Sequence, residues 1–139
     1  MSIRAVLDTN VFVSGIHWTG ASEKVLRAWL EERFVLVSST PITDEIVRVL
    51  MAFKVPLEPE DIAWWERLIL EKSVVVFPIR HLDVVKDDPS DNKFIEAAVE
   101  GNARYVVSQD KHLLTIKAYG FVKMCHPEEF MKVLEGGRQ

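Results

Sequence analysis

Short apolar runs rich in β-branched residues alternate along the chain with longer stretches whose apolar positions recur at helical spacing. The runs Ile3–Leu7, Phe34–Ser38, Val74–Phe77, Arg104–Val107 and Phe121–Met124 read as strands. Most are apolar on both faces, the pattern of strands in a parallel sheet covered on each side. Between them, Ala21–Glu32 sets Val25, Leu26 and Trp29 on one helical stripe. A second helix starts at Thr40–Pro41, a cap followed by proline at the first helical position, and turns Ile42, Ile46, Val49 and Leu50 inward. Glu58–Pro59 opens a third helix with Ile62, Trp65 and Ile69 in phase. The run Asp88–Asp91 opens a fourth through Phe94, Ile95, Ala98 and Val99, closed by Gly101; a fifth follows Asp110, and Pro127–Leu134 gives the last. Asp8, Thr9 and Asn10 read as turn residues after the first strand, with Gly15 and Gly20 in a loop. This alternation predicts an α/β fold: a three-layer α/β/α sandwich around a central, mainly parallel sheet of four to five strands, as one domain over residues 1–139.

Composition narrows the function classes. Of 139 residues, 48% are hydrophobic, enough for a core and too many for a disordered chain. The net charge of −4 excludes a protein that holds nucleic acid by a blanket of basic surface. A nucleic-acid partner has to be gripped by a local basic patch or through bound cations. The lone cysteine, Cys125, excludes an internal disulfide. No apolar run approaches the roughly 20 residues of a membrane span, and no charged-then-apolar leader precedes the first strand. A soluble, cytoplasmic protein with no membrane partner is the expectation.

The candidate chemistry lies at the junctions. Asp8 follows the first strand, Glu45 lies in the first turns of the second helix, Asp91 opens the fourth, and Asp110 follows the "RYVVSQ" strand. In a parallel sheet such junctions share one face, so four distant parts of the chain can bring their carboxylates together. Each acid alone has a structural explanation. Asp91 can partner Asp88 in a capping box, Asp110 can cap the next helix, Glu45 can complement a helix dipole, and Asp8 can form an Asx turn. As a group they raise an electrostatic problem. Two charges about 6 Å apart repel by roughly 3 kcal/mol at an effective dielectric of 20. Six such pairs come to about 15 kcal/mol, comparable to the stability of a whole domain. If the four converge, protons or hard divalent cations must neutralise them, and an all-carboxylate set suits Mg²⁺ or Mn²⁺. Metals in such a site activate water and clamp a phosphodiester, so a metal-dependent nuclease is the function these residues support.

The segments "VLDTNVFVS", "PITDEIVRVL", "DDPSDNKFIEAAVEGNARYVVSQDKHLL" and "GFVKMCHPEEFMKVL", in this order over essentially the whole chain, resemble the PIN-domain ribonucleases, and within them the VapC-like toxins of toxin–antitoxin systems. The resemblance implies an endoribonuclease using Mg²⁺ or Mn²⁺, with Asp8, Glu45, Asp91 and Asp110 as the catalytic, metal-binding acids. Asp8, Asp91 and Asp110 would be direct ligands, and Glu45 a ligand or an orienter of water. It also implies that Asn10 and Ser108 brace these acids while Thr9 shapes the turn that aims Asp8. An RNA substrate, an antitoxin partner and a homodimer are expected on the same ground. Asp44 and Asp88 are rivals to Glu45 and Asp91. One departure concerns the segment "DKHLL": many relatives carry a second acid where this chain has His112. That change either weakens a second metal site or is a surface substitution.

Lys93, Lys111 and His112 are candidate contacts to RNA, with Arg104 and Lys86 further possibilities; each has a solvated-face alternative. The histidines lack the i, i+4 spacing of a zinc motif, His17 is expected on the surface, and no phosphate-cradling glycine motif occurs. Of the adjacent Trp64 and Trp65, about 100° apart on a helix, one is expected in the core and the other at an interface. Two other functions compete with the nuclease. One is a PIN-fold RNA- or protein-binding module with little turnover. The other is phosphoryl transfer on Asp8, which the Asn10 position fits poorly because such enzymes carry D-x-D.

Overall fold

The computed structural model describes residues 2–136. Its elements run β1 (Arg4–Leu7), α1 (Thr9–His17), α2 (Ala21–Leu30), β2 (Val35–Ser39), α3 (Thr40–Ala52), α4 (Pro59–Glu71) and β3 (Ser73–Val76). A 3₁₀ turn (Pro89–Asp91) then leads into α5 (Asn92–Glu100), β4 (Tyr105–Val107), α6 (Lys111–Leu114), β5 (Ala118–Tyr119), β6 (Val122–Cys125) and α7 (Pro127–Gly136). The strands form a six-stranded sheet in the order β3-β2-β1-β4-β6-β5, parallel except for the β5–β6 pair.

Helices cover the sheet, and the core joins strand residues Ala5, Val6, Leu36, Val37, Val106 and Val107 to Phe12, Trp29, Ile46, Phe94 and Phe130. Each of these is at most 1% exposed. The central strands are apolar because both their faces are covered, which is why they read as continuous apolar runs rather than alternating ones.

Two elements differ from the sequence expectation. The segment after β1 is a helix, not a turn and loop. Asp8 is its N-cap, accepting from the Asn10 N–H at 3.0 Å, so the polar cluster starts an element where it was expected to end one. The run Val11–Val13, β-branched at both ends, has strand-like composition, yet tertiary packing overrides that preference. Gly15 lies within this helix. A Cβ there would sit 2.7 Å from Leu26 Cδ1 and 2.8 Å from the Ser22 carbonyl oxygen, so glycine lets α1 and α2 pack closely. The sheet also has six strands rather than four or five. The extra one, β5, is two residues long and doubles back through Gly120, whose φ is +57°. A strand that short carries no periodicity to detect.

The strand order fixes where a site can form. From β1 the chain builds outward through β2 and β3; it then returns to the other side of β1 to place β4 and β6. The direction reverses between β1 and β4, and the crevice beyond their carboxyl ends is where open α/β sheets bind ligands.

Candidate active site

Register brings the first acid to that crevice. Leu7 pairs with Val107, so Asp8 and Ser108 emerge side by side from the two central strands. The Asp8 amide donates to the Val107 carbonyl at 3.0 Å, and the Ser108 hydroxyl donates to Asp8 Oδ2 at 2.6 Å. That hydroxyl, fully buried, also accepts from the Asp110 amide at 2.9 Å. Asp110 in turn caps α6, its Oδ1 accepting from the His112 N–H at 2.9 Å. Asp8 and Asp110 are therefore caps, and they are also neighbours in one hydrogen-bonded chain. The two explanations offered for them hold together.

The third acid enters from the 3₁₀ turn. Asp91 is 8% exposed and makes no side-chain capping bond, which removes the capping-box explanation for it. Oxygens of Asp88, Asp91 and Asp110 all lie within 4.8 Å of one another. Asp91 Oδ2 is buried without a hydrogen-bond partner. Asp88, considered above as a rival to Asp91, thus joins it; its Oδ1 also accepts from the Ser90 hydroxyl at 2.7 Å.

Glu45, on α3, is not in that trio but lies close enough for its charge to act on Asp8. It accepts from the Thr9 hydroxyl and pairs with Lys93, whose Nζ is 2.6 Å from Oε1. Asp44, its neighbour in sequence, is exposed.

The electrostatics follow from this crowding. Burial pushes the Asp8 carboxyl up despite its bonds from Ser108 and the Asn10 amide, and the negative Asp110 and Glu45 push it further. Asp91 is driven up to about 8, by burial first, then by its hydrogen bond with Asp110 and the charges of Asp8, Asp88 and Asp110. Asp110 is partly buried, but the His112 amide, the bond from Asp91 and the nearby His112 and Lys111 charges hold it below the ordinary carboxylate range. The two shifts run in opposite directions, Asp91 toward its protonated form and Asp110 toward its charged form.

These donors fit a hard divalent cation. At 4.8 Å two carboxylates repel by about 3 kcal/mol at an effective dielectric of 20. All the donors are oxygens, and one of them is buried with no partner. A cation among Asp88, Asp91 and Asp110 would answer both conditions.

The remaining candidates fall in varied places. Asn10 gives its backbone N–H to Asp8, while its side chain is exposed. Lys93, considered for RNA, has its ammonium on Glu45 and on the Ser90 carbonyl at 2.7 Å. Lys111 is exposed beside Asp110. His112 is no simple surface substitution, since its Nδ1 is buried without a partner. Arg104 precedes β4, at the end of the sheet away from the acids, and Lys86 pairs with Asp83 on the surface. His17 is half-buried at the surface, with Nδ1 2.8 Å from the Val13 carbonyl and Nε2 3.0 Å from that of Val55. Trp65 packs against the core, and Trp64 is 45% exposed.

Sequence reasoning passed over one feature. A cleft of about 590 Å³ borders Asp110, lined by Asn10, Ser14, Trp18, Phe53, Gln109 and Lys111 among others. A half-exposed tryptophan between two predicted elements carries no signal in a single sequence. No helix among the described residues is long and apolar enough to cross a membrane.

Comparison with known proteins agrees with this architecture. Residues 4–112 match the family model of the PIN domain. An uncharacterized protein of Methanocaldococcus jannaschii is 31% identical over 153 aligned positions, covering 97% of this chain and 94% of that protein. Among solved structures, VapBC2 of Rickettsia felis, bound to a DNA fragment from its promoter, matches with a TM-score of 0.59 at 13% identity, covering 88% of this chain and 97% of that one. VapBC-1 of nontypeable Haemophilus influenzae matches with a TM-score of 0.59 at 14% identity, covering 91% of this chain and 99% of that one.

Proposed function

The chain belongs to the PIN-domain family, and on that footing we propose that it is a metal-dependent endoribonuclease, the toxin of a toxin–antitoxin pair. The observation that carries this reading is the unpartnered, buried Asp91 Oδ2 within reach of two further carboxylates at the sheet's switch point. PIN domains are generally nucleases, and the fold shared with the VapBC structures supports an antitoxin partner. An RNA substrate and a homodimer belong to the same reading.

Asp91 and Asp110 would hold Mg²⁺ or Mn²⁺ together with Asp88, whose oxygen lies in the same 4.8 Å group, and Asp8, tied to Asp110 through Ser108, would join them. When bound, the cation supplies neutralisation of the phosphodiester charge and activation of the attacking water. The protein's own residues do the rest. Ser108 holds Asp8 and Asp110 in fixed relation through one hydroxyl. Thr9 and Lys93 hold Glu45 from two sides, which supports a role for Glu45 in orienting water. Lys93 also adds a positive charge to an acidic pocket that must receive an anionic backbone.

The test is a calorimetric titration of Mn²⁺ into the wild type and Asp8→Asn, with cleavage of a fluorescent RNA followed in parallel. Saturable binding and cleavage in the wild type, both lost in the variant, are expected. Metal binding without hydrolysis of any RNA would leave a binding module, and absence of both would overturn the proposal.

A further inference from the structure

We propose that Lys93 is a second cation supplied by the chain itself: its ammonium holds the carboxylate that a second divalent ion would need, so the site loads one ion per chain. This rests on the metal-dependent reading above and deepens it, assigning the number of ions and the residue that stands in for one of them.

The acids divide into two sets. Asp88, Asp91 and Asp110 bring oxygens within 4.8 Å of one another. Asp8 and Glu45 lie outside that trio, and the charge of Glu45 acts on Asp8. Paired ions that clamp a phosphodiester stand about 3.5–4 Å apart. With the trio given to one ion, a second would have to draw on Asp8 and Glu45.

Glu45 is already engaged. Its Oε1 lies 2.6 Å from Lys93 Nζ, and its Oε2 accepts from the Thr9 hydroxyl. The Lys93 and Glu45 side chains are 15% and 19% exposed. Among the described residues, every other ion pair has at least one side chain more than half exposed. Water and salt screen those pairs well and this one poorly. A doubly charged ion brought to Glu45 would meet the ammonium on the same carboxylate, and poor screening makes that repulsion strong.

The ammonium is also fixed from its other side. Nζ donates to the Ser90 carbonyl at 2.7 Å and lies 4.9 Å from the centroid of the buried Phe94 ring. Ser90 belongs to the turn that carries Asp88 and Asp91, and its hydroxyl donates to Asp88 Oδ1. Lys93 therefore ties Glu45 to the turn of the trio. An ammonium has three N–H donors, and two are used within the chain. The third is left for a phosphate oxygen, the contact a second ion would otherwise make.

The experiment titrates Mn²⁺ into the wild type, Lys93→Met and Lys93→Arg by calorimetry and records the EPR spectrum of each at saturation. Methionine keeps an unbranched stem without charge, and arginine keeps the charge. The wild type and Lys93→Arg are expected to bind one Mn²⁺ per chain, with the spectrum of an isolated ion. Lys93→Met should gain a second, weaker Mn²⁺ and a spectrum showing spin coupling between the two. Adding Glu45→Gln to Lys93→Met should abolish the gain, which ties it to that carboxylate. Melting curves in chelator check that the variants are folded. Two ions or a coupled spectrum in the wild type overturns the proposal without recourse to any variant. A folded Lys93→Met that saturates with one ion overturns it as well. Either result leaves the metal-dependent reading intact, whereas a wild type that binds no Mn²⁺ overturns both.

Discussion

The two halves of the acidic cluster meet at Asp110 and are built on different terms. In the half formed by Asp8, Ser108 and Asp110, the polar groups satisfy one another through the backbone and a single hydroxyl, and each acid also starts a helix. In the half formed by Asp88 and Asp91, a buried carboxylate oxygen has no partner at all. An unsatisfied buried polar group costs about 1–3 kcal/mol, more when charged. The first half is complete as the chain folds. The second is complete only when something positive arrives, and this asymmetry identifies Asp91 as the acid whose environment is least explained by folding.

The sharpest way to break the contrast is Asp91→Asn. It replaces the acid whose Oδ2 is buried without a partner by a side chain that stays neutral at every pH, so the pocket of Asp8, Asp88 and Asp110 no longer has to hold a proton there. Loss of a direct ligand is expected to weaken Mn²⁺ binding by more than the roughly 10–100-fold seen for residues that only support ligands, and cleavage falls with it. The metal-free variant should nevertheless melt at or above the wild-type temperature. Calorimetry and thermal melts in chelator measure both halves of this outcome. A variant that loses stability in chelator would place Asp91 among the structural acids.

Ser108→Ala attacks the other half and should be felt in both readouts. The hydroxyl is fully buried and serves Asp8 and the Asp110 amide together, so its loss leaves two groups unsatisfied. A destabilisation of about 1–3 kcal/mol is expected by denaturant unfolding, with Mn²⁺ affinity down by roughly 10–100-fold as the two acids lose their common anchor. The comparison therefore predicts opposite signs for the stability of the two metal-free variants.

The pH dependence sharpens the same division. Burial and neighbouring charge hold the Asp91 carboxyl at about 8, whereas in the unfolded chain it returns to its ordinary 3.8. Between these values the folded protein retains a proton that the unfolded chain has released. The metal-free protein therefore loses stability as pH rises through this window and levels off above it. Asp8, also raised, works in the same direction, while Asp110, lowered, opposes it at the acid end. A cation must displace that proton, so Mn²⁺ affinity should rise with pH, by up to about tenfold per unit for one proton, until Asp91 has ionised. Thermal melts across the window, with and without Mn²⁺, should show the metal flattening the slope, and Asp91→Asn should flatten it without metal.

How much of this was legible in the sequence depends on where the determinants lie. The alternating pattern carried the layers and the parallel strands because burial on both faces writes itself into β-branched runs such as Val35–Val37 and Tyr105–Val107. The four junction acids stood out because topology turns their sequence positions into a shared face. The helix α1 was not legible, since Val11 to Val13 prefer strands and Gly15 disfavours helix; its reason lies in a close approach to Leu26 from another element. The pairing of Lys93 with Glu45 was hidden for the same cause: 48 positions separate them, and only α3 and α5 lying side by side brings an ammonium to that carboxylate. Asp88 was visible as an acid, but its place beside Asp91 depends on the 3₁₀ turn at Pro89, a geometry that composition does not specify.

The smallest effect is expected at Asp44, and it tests the division from outside. Asp44 and Glu45 are consecutive acids on α3, so about 100° of helical rotation separates their side chains. That rotation leaves Asp44 in solvent and carries Glu45 to Thr9 and Lys93. Asp44→Asn removes the same charge from a neighbouring position without touching any partner of the cluster. Its stability should stay within about 0.5 kcal/mol of wild type, with Mn²⁺ affinity and cleavage unchanged within error, in the same calorimetric and fluorescence assays. A substantial loss would mean that total negative charge near the crevice, and not the placement of particular carboxylates, attracts the cation. Indifference at Asp44 beside a large effect at Asp91 would tie the site to helix register and to the one buried oxygen that folding leaves alone.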